Sequence, residues 1–445
     1  MQKPKIIVFT TAYYPFIGGA EIAIQEIVKR LKDRFDSLGY LYGSITDFLG
    51  FRINDGEYKV MGLAPYGKPT DKMDDIISLP RLNLGISRFG FGGGIHINTR
   101  YSLYPFSRKN LKERFGDISR EYDETSPPQP NTDIASTLQD RLEKAALWYV
   151  KKLIQNLLPA DVTRQQSSSL GGLQAGKSEI KNLCLAGGVA LNVKMNKVIW
   201  ESGLVERLWI QPAAGDMGNV LGAAWLLYRR KTGRRPEPLH HLYLGPDYSK
   251  DTVKAVLEKS GLQYREVPDI AKETAELLSQ GKIIAWFQGR MEFGPRALGS
   301  RSVLADPRRA DMKDIINAKV KFREPFRPFC PSFLEDYGPE MFERYMSSPY
   351  MIMSFSVKPE YRVRIPAVVH VDGTVRPQEV SHATNPLYAK MIDYFYQKTG
   401  VPVILNTSLN VKGEPIVNTP EEAIVFLKKT DVDHLAINNF LVDKS

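Results

Sequence analysis

The sequence predicts an α/β fold that is divided into more than one domain. Its 445 residues exceed the length of an average domain, so two or three compact units are expected. A helical pattern, IASTLQDRLEKAALWYVKKLIQNLL, precedes the strand-like run KNLCLAGGVALN, and a further strand and helix follow. Alternation of helix and strand along a chain is typical of α/β layouts. The composition, 43% hydrophobic and 25% charged, is that of an ordinary globular protein.

The chain opens with a strand, a turn and a helix. The apolar run KIIVFTTAYY is followed by Gly18 and Gly19, and then by a helical segment with apolar Ile22 and Leu31. This unit, residues 1–36, resembles the opening of retaining glycosyltransferases with two Rossmann-like domains. The resemblance covers one βα unit and implies a glycine loop that approaches the donor phosphate and the acceptor.

Two further units of strand, turn and helix lie between Lys181 and Leu227. In NLCLAGGVALN a buried strand leads to Gly187 and Gly188, which could bring main-chain amides against a phosphate. In LWIQPAAGDMGN a second strand ends at the glycine-flanked Asp216. An Asp at such a position commonly binds a metal or a ribose, and capping of the following helix is the alternative. Two such units in series favour a ligand site.

Two segments interrupt the alternation of helix and strand. Residues 163–179 are rich in Ser, Gly and Gln without apolar periodicity, so a flexible surface insertion is expected there. The run YRRKTGRRPEP has the cations typical of a helix C-terminus and is closed by prolines. We interpret residues 229–245 as an interdomain linker.

Charge and hydropathy exclude some classes of partner. The net charge is +10, but basic and acidic residues are mixed over most of the chain, so no nucleic-acid surface is indicated. No apolar run reaches the roughly 20 residues that span a bilayer, and no signal peptide is recognisable. We therefore expect a cytoplasmic protein without a membrane partner.

Three arginines stand close together in FQGRMEFGPRALGSRS. Arg290, Arg296 and Arg301 lie among glycines and a proline, which let the main chain approach a ligand closely. Guanidinium groups in such a setting suit a phosphate-rich ligand. A basic solvated turn is the alternative.

The run GVPVILNTSLN predicts a buried strand with small polar side chains at its C-terminal end, where α/β proteins place ligands. Asn406, Ser408 and Asn410 alternate, so they share one face if the chain stays extended. A turn of Asn and Ser that merely ends a strand is the alternative.

Six motifs in a fixed order resemble those of a known family. They are GEYKVMGLAPYGKP, LCLAGGVALN, QPAAGDMGNVLGAA, GRMEFGPRALGSRSVLADPR, FREPFRPFCPS and GVPVILNTSLNVKGEPIV. Together they look like the nodulation-type O-carbamoyltransferases of antibiotic and Nod-factor biosynthesis. The resemblance implies an incomplete actin-like ATPase domain at 37–228, similar to the tRNA threonylcarbamoyl transferases. It also implies an α/β domain at 246–445, similar to the threonylcarbamoyl-adenylate synthases.

The resemblance implies a two-step reaction. The second module would convert carbamoyl phosphate and ATP, with Mg2+, into carbamoyl-adenylate, and the first would pass the carbamoyl group to a hydroxyl of a sugar or natural product. Catalytic contacts fall on Arg296, Lys321 and Arg327. Substrate or nucleotide contacts fall on Arg376, Asn406, Ser408 and Asn410 in the second module and on Lys59, Gly187, Gly188 and Asn192 in the first. For Lys59, an ion pair with Glu57 is the alternative.

An iron-like divalent metal is also implied, with Asp216 as its family ligand. Family members carry a His-Asp-Ser motif and a His-His-x-x-His metal motif, and neither is found among the six histidines of this chain. A lone carboxylate binds a divalent ion poorly, so an impaired transfer half is expected unless a partner chain supplies the groups in trans. A glycosyltransferase-type sugar-binding enzyme and an inactive fusion remnant stay open as alternatives.

Overall fold

The structure is a computed structural model that describes most of the chain. The described residues are 8–9, 36–78, 95–102, 107–122, 127–157 and 182–444. The chain divides into two compact units, Met1–Pro236 and Glu237–Ser445. This division falls inside the predicted linker. The predicted Gly18-Gly19 turn and its helix, and the predicted insertion at 163–179, lie outside the described residues.

The first unit contains helices and a small parallel sheet. Its described helices are α1 (Asp36–Phe48), α2 (Glu57–Leu63), α3 (Ser107–Phe115), α4 (Gln129–Leu157), α5 (Val193–Glu201) and α6 (Met217–Thr232). Its described strands are β1 (Val8–Phe9), β2 (Ile77–Ser78), β3 (His96–Ile97), β4 (Asn182–Leu185) and β5 (Arg207–Ile210). The parallel sheet has the order β1-β4-β5, and β2 pairs with β3 in the antiparallel direction.

Local sequence explains where these helices lie. The helical pattern predicted before the first Gly-Gly strand forms α4, and its apolar stripe is buried at Ala135, Leu138, Leu142, Ala145 and Tyr149. Helix α5 begins after Asn192, whose side-chain oxygen accepts a hydrogen bond from the N–H of Met195 at 2.9 Å. Helix α6 ends at Gly233, whose φ of 69° favours glycine.

Helix α6 is exposed on all sides. None of its residues is buried, although it carries the apolar run VLGAAWLLY. Val220 and Leu227 have 72% and 54% of their surfaces exposed. A helix that is apolar all round is usually buried in a protein interior. The exposure of α6 therefore leaves an apolar surface of the first unit uncovered. The helix continues to Thr232 because its backbone hydrogen bonding reaches Gly233, so the linker begins later than the predicted residue 229.

The second unit contains one large mixed sheet and its helices. The strands are β6 (Tyr264–Glu266), β7 (Ile284–Phe287), β8 (Arg301–Ala305), β9 (Cys330–Leu334), β10 (Phe355–Ser356), β11 (Thr374–Val375), β12 (Gln378–Val380), β13 (Val403–Ser408), β14 (His434–Ile437) and β15 (Phe440–Asp443). The helices are α7 (Lys250–Ser260), α8 (Ile270–Ser279), α9 (Met312–Ile316), α10 (Gly338–Met341), α11 (Pro359–Arg362), α12 (Pro386–Thr399) and α13 (Pro420–Lys429). Among the helices that the structure describes, none is long and apolar enough to cross a bilayer.

The central strands of this sheet form the core of the second unit. Eight strands are arranged in the order β12-β9-β13-β8-β7-β14-β15-β6. Strands β7, β8 and β9 are buried at every position, as expected for strands that are covered on both faces. Strand β13 runs antiparallel to both β8 and β9, so its last residue, Ser408, lies opposite Ser302 near the start of β8. The end of one predicted motif thereby lies next to the arginine-rich stretch of another.

We predict that truncating a core leucine and an exposed leucine will have very different costs. Leu435 in β14 is fully buried, so Leu435→Ala should lower the free energy of unfolding of the second unit by about 2–5 kcal/mol. Leu227→Ala on α6 should change the stability of the first unit by less than about 0.5 kcal/mol. Denaturant titration of both variants against the wild type measures these values. A large loss in Leu227→Ala would mean that α6 is covered in solution.

Candidate functional site

The polar site of the second unit is organised around the amine of Lys321. Helix α9 continues into a π-helical turn, Asn317–Lys321, which ends at Phe322 with a left-handed φ of 48°. Such π-turns are frequent at functional sites. The turn directs Lys321 inward, and only 3% of the residue is exposed.

Four oxygen atoms at the end of β13 surround this amine. The main-chain and side-chain oxygens of Asn410 each accept at 2.9 Å, and the Ser408 hydroxyl lies at 3.3 Å. The carbonyl of Ser408 is the fourth acceptor. The structure therefore brings Lys321 to Ser408 and Asn410, which lie 87 and 89 positions later in the sequence. All three residues were predicted to belong to one module.

The electrostatic environment of Lys321 is strongly positive. Burial is the main cause that lowers the pKa of its amine well below the usual range, and the guanidiniums of Arg323 and Arg327 add to this effect. Arg323 is held by a 2.7 Å hydrogen bond to the side-chain oxygen of Asn317 and lies over the ring of Phe329, 4.4 Å from its centroid. The guanidinium of Arg323 is thus fixed by the same turn that carries Lys321.

One buried acid balances part of this charge. The Glu324 carboxylate lies 3.4 Å from the Arg327 guanidinium and 3.1 Å from the Lys412 amine. Lys412 follows the end of β13, and Arg327 precedes β9. Glu324 therefore ties together the segments on both sides of the site, and sequence reasoning did not single it out.

The side chain of Asn406 makes hydrogen bonds inside the sheet. Strand β13 ends at Ser408, and the N–H of Asn410 bonds back to the Ser408 carbonyl at 3.0 Å, so the three alternating side chains do not share one extended face. Asn406 is buried, and its amide donates to Ser332 Oγ and Gln378 Oε1 at 3.0 Å each. The predicted contact between Asn406 and substrate stays a prediction.

Residues 288–301 are called the arginine loop. The three arginines of this loop have different environments. Arg301 is completely buried, lies over the ring of Phe287 at 3.6 Å, and donates to four backbone carbonyls. Its prediction as an anion ligand is therefore wrong, because the side chain is completely buried and both of its Nη atoms donate within the fold. Arg290 is exposed and donates to the carbonyl of Leu244 at 2.7 Å. Arg296 is half-buried.

Glu292 shapes the arginine loop, and sequence reasoning missed it. Its Oε1 accepts hydrogen bonds from the backbone N–H groups of Leu298, Ser300 and Arg301 at 2.6, 2.7 and 3.2 Å. Burial lowers the pKa of Arg301 to about 10, and the charge of Glu292 opposes that shift. The only signal in the sequence was an acid standing among glycines and arginines.

Gly299 is required by packing. Its φ is 94°, and a Cβ there would lie 2.3 Å from the ring of Tyr388. The glycine therefore admits a tyrosine ring from α12, whereas the sequence interpretation assigned the loop glycines to close approach of a ligand.

Arg376 contacts a thiol on the central sheet. Its Nε and Nη2 lie 3.2 and 3.0 Å from Sγ of Cys330, the first residue of β9. Cys330 lies opposite Asn406 in the sheet. The predicted ligand role of Arg376 stays a prediction.

In the first unit, two turns meet at one edge of the parallel sheet. Gly187 has a φ of 94°, and its N–H donates to the carbonyl of Ala214 at 2.8 Å, which joins the turn after β4 to the turn after β5. Gly188 is exposed, and a Cβ there would have no neighbour within 4 Å. Asp216 lies on the same edge and is exposed. Its side chain makes no capping hydrogen bond to α6, so the capping alternative is not observed.

Asn192 belongs to a buried polar cluster. Besides capping α5, it donates to Gln139 Oε1 at 2.9 Å, and Gln139 also bonds to Tyr42 and Glu143. Burial raises the pKa of both Tyr42 and Glu143. These contacts explain Asn192 as part of the fold, and its predicted contact with ATP stays a prediction.

Lys59 lies beside an aromatic ring. Its amine is 5.4 Å from the centroid of the Phe51 ring. Glu57, its predicted alternative partner, accepts a hydrogen bond from the N–H of Asn54 at 2.9 Å. A nucleotide contact of Lys59 stays a prediction.

The described residues do not fit the iron-like metal that the resemblance implies. Within those ranges, no group of three or more His, Cys, Asp and Glu side chains is placed to hold a metal ion. Asp216, the ligand that the resemblance implies, has no such group around it within those residues.

Two family models match this chain and together cover most of it. The model for the carbamoyltransferase N-terminus matches residues 7–225, and the model for the carbamoyltransferase C-terminus matches residues 275–444. The chain belongs to the carbamoyltransferase family. This confirms the resemblance carried by the six motifs and makes the protein a transferase. The N-terminal match begins within residues 1–36, so the family pattern extends into the segment with the glycosyltransferase-like opening.

Relatives of this carbamoyltransferase include nodulation proteins. Nodulation protein NolO of Bradyrhizobium diazoefficiens is 37% identical over 420 residues, which cover 92% of this chain and 69% of the relative. Nodulation protein NolNO of Sinorhizobium fredii is 37% identical over 422 residues, with 92% and 56% covered. The chain thus spans about half to two thirds of their lengths. The crystal structure of T. kodakarensis HypF aligns to 41% of this chain and 23% of its own, with 18% identity and a TM-score of 0.28, too little to support a statement about fold.

We predict that Lys321 makes stability rise with pH. Between the lowered pKa of the folded amine and the ordinary value of about 10.4, the unfolded chain holds a proton that the folded chain has released. Folding is therefore increasingly favoured as pH rises through this interval. Lys321→Met should remove that contribution, so denaturant titrations from neutral pH to about pH 10 should show a flatter rise for the variant.

Lys390→Met is the matched control. Lys390 is exposed and pairs with Asp269, which raises the pKa of the lysine, so its titration lies above the same interval. Its pH dependence should follow the wild type. Identical slopes for Lys321→Met and wild type would contradict a lowered pKa at Lys321.

Proposed function

We propose that the two units of this carbamoyltransferase divide an O-carbamoylation reaction. The second unit, similar to threonylcarbamoyl-adenylate synthases, would form carbamoyl-adenylate from ATP and carbamoyl phosphate. The first, an actin-like unit, would pass the carbamoyl group to a hydroxyl of a sugar or natural product. The main support is the buried Lys321 amine at the end of β13, with two guanidiniums beside it.

Adenylation brings two anions together, so the second unit has to offset their charge. Water would release phosphate from carbamoyl phosphate, and an oxygen of the resulting carbamate would attack the α-phosphorus of ATP as pyrophosphate leaves. Negative charge grows on the phosphate oxygens in the transition state, where fixed cations stabilise it most. We assign this task to Arg296, Lys321 and Arg327.

The environment of Lys321 suits a ligand that arrives with its own negative charge. Burial and neighbouring cations disfavour the protonated amine in the protein alone. A phosphate or carbamate close to the amine would favour the protonated form and reverse part of that shift. Ser408 and Asn410 hold the amine in place, so we assign them contacts to the carbamoyl group or the nucleotide, together with Arg376.

The first unit offers a place for a nucleotide at one sheet edge. The exposed Gly188 and the turn through Asp216 are joined by the hydrogen bond from Gly187 to Ala214. In the proposed step the acceptor hydroxyl oxygen attacks the carbamoyl carbon of carbamoyl-adenylate, and the bond from that carbon to the phosphate oxygen breaks. AMP leaves, and the hydroxyl proton is released to water. Gly188 would supply a main-chain donor to the nucleotide phosphate, and Gly187, whose N–H donates to the Ala214 carbonyl, would hold the turn in place.

We predict that Arg296→Ala will nearly abolish adenylation. Loss of one fixed donor from a closed site typically costs about 2.7–4 kcal/mol of transition-state stabilisation, or roughly 100- to 1000-fold in rate. The measurement is ATP–pyrophosphate exchange that depends on carbamoyl phosphate, which requires no knowledge of the acceptor.

Arg290→Ala provides the control within the same loop. Arg290 is exposed and bonds to the Leu244 carbonyl, so its exchange rate should stay near that of the wild type. Equal rates for Arg296→Ala and Arg290→Ala would remove Arg296 from the reaction. Absence of exchange in the wild type would contradict the proposed adenylation itself.

We predict that this chain catalyses adenylation but little carbamoyl transfer. Of the family metal ligands the resemblance assigns only Asp216 to this chain, and loss of a metal ion together with a general base would slow transfer by several orders of magnitude. Purified protein incubated with ATP, carbamoyl phosphate and hydroxylated acceptors should release pyrophosphate and yield little carbamoylated product. Efficient carbamoylation of any acceptor by the chain alone would overturn this prediction.

A further inference from the structure

We propose that Glu292 is a positioning residue for phosphate recognition, because it holds the arginine loop in the conformation from which Arg296 contacts the ligand. We take pyrophosphate as the ligand because it is a product of the proposed adenylation, so the choice of ligand rests on the proposed function. The geometry of the loop is independent of that function.

Glu292 fills the backbone anion site of its own loop. Consecutive N–H groups of a glycine-rich turn often converge on a phosphate oxygen. Here the N–H groups of Leu298, Ser300 and Arg301 converge on Oε1 of Glu292, and the N–H of Gly299 donates to Ser302 Oγ at 3.1 Å. These four consecutive donors have acceptors within the protein. A phosphate is therefore recognised by side chains and not by this stretch of main chain.

The carbonyl groups of the same stretch are also held. The Nε1 of Trp286 donates to the Gly299 carbonyl at 2.9 Å, and Gln378 donates to the Leu298 carbonyl at 2.7 Å. Arg301 donates to the Ser300 carbonyl at 3.1 Å. The backbone that follows Arg296 is thus fixed on its donor side by an acid and on its acceptor side by buried donors.

The charge of Glu292 has a reason of its own. The residue is 6% exposed, and its Oε2 has no hydrogen-bond partner within the described residues. A buried carboxylate is costly unless opposite charge and several donors compensate for it. Three N–H groups and the buried guanidinium of Arg301 provide this compensation. A neutral amide would accept the same hydrogen bonds more weakly and leave Arg301 without its counter-charge.

Glu292→Gln is the variant that tests the proposal, because it keeps the shape of the side chain. Pyrophosphate binding is measured by calorimetry for wild type, Glu292→Gln, Arg296→Ala and the double variant. Each single change should weaken binding by about tenfold or more, the range expected for loss of a hydrogen bond to a charged group. The double variant should bind no more weakly than Arg296→Ala alone, because Glu292 acts through Arg296.

Hydrogen exchange provides a second readout without any ligand. The amides of Leu298, Ser300 and Arg301 should be protected in the wild type and should exchange faster in Glu292→Gln. Glu379→Gln is the matched control, since Glu379 also accepts a backbone N–H, from Ser348 at 2.8 Å, outside the loop. This control should keep wild-type pyrophosphate binding. If Glu292→Gln does not fold, Glu292→Asp keeps the charge but withdraws the oxygen, and it should show the same two effects.

Several outcomes would overturn the proposal: wild-type affinity in Glu292→Gln, multiplied losses in the double variant, unchanged amide exchange, or no pyrophosphate binding by the wild type. The proposed function fails separately. A wild type that shows coupled binding through Arg296 but no ATP–pyrophosphate exchange would contradict adenylation and support the role of Glu292. A wild type that catalyses ATP–pyrophosphate exchange, but whose Glu292 and Arg296 variants show no coupling, would support adenylation and contradict the role of Glu292.

Discussion

The site of the second unit depends on one buried amine and the oxygens that surround it. Lys321 reaches the end of β13 only because a π-turn and a left-handed residue redirect the chain after α9. The oxygens of Ser408 and Asn410 converge on its amine because β13 ends at that point and the chain turns back. An amine buried without such acceptors would cost several kcal/mol, so the turn and the strand end have to be formed together.

The antiparallel placement of β13 gives this contact its wider importance. In a parallel sheet the C-terminal ends of strands gather at one edge, whereas here the end of β13 lies against the start of β8. The residue before that start is Ser300, the last part of the arginine loop. A polar cluster at the strand end and a basic loop at a strand beginning thus become neighbours. Side chains of Asn406, Gln378 and Trp286 then anchor the loop from the sheet below.

Sequence reasoning succeeded where a feature is local. The apolar stripe of α4, the strand before Gly187 and the strand ending near Ser408 each follow from the spacing of apolar residues, and each is present. The family was identified from motifs, but the proximity of Lys321 to Ser408 joins segments that periodicity cannot relate. That proximity depends on strand order, which is set by the packing of the whole sheet.

The error at Arg301, and the differences between neighbouring residues, have the same physical origin. Arg301 and Arg296 have similar sequence surroundings, but Arg301 enters a cavity lined by carbonyls from Pro246, Gln288 and Gly289, and only the folded chain assembles those acceptors. Asn406 and Ser408 occupy the same strand, and the partner strand β9 decides that Asn406 bonds to Ser332. Burial, which separates an internal donor from a ligand donor, is a property of tertiary contacts and cannot be read from composition.

At Phe322 the requirements of stability and of activity differ. It is half exposed, and its φ of 48° places a bulky side chain in a conformation that costs an L-residue about 1–2 kcal/mol. Selection of random variants for heat resistance would favour glycine at this position, because glycine adopts a positive φ without strain. The same substitution would loosen the turn that aims the Lys321 amine. At Phe322, selection for stability and selection for activity therefore favour different residues, as is common where backbone strain serves a functional site.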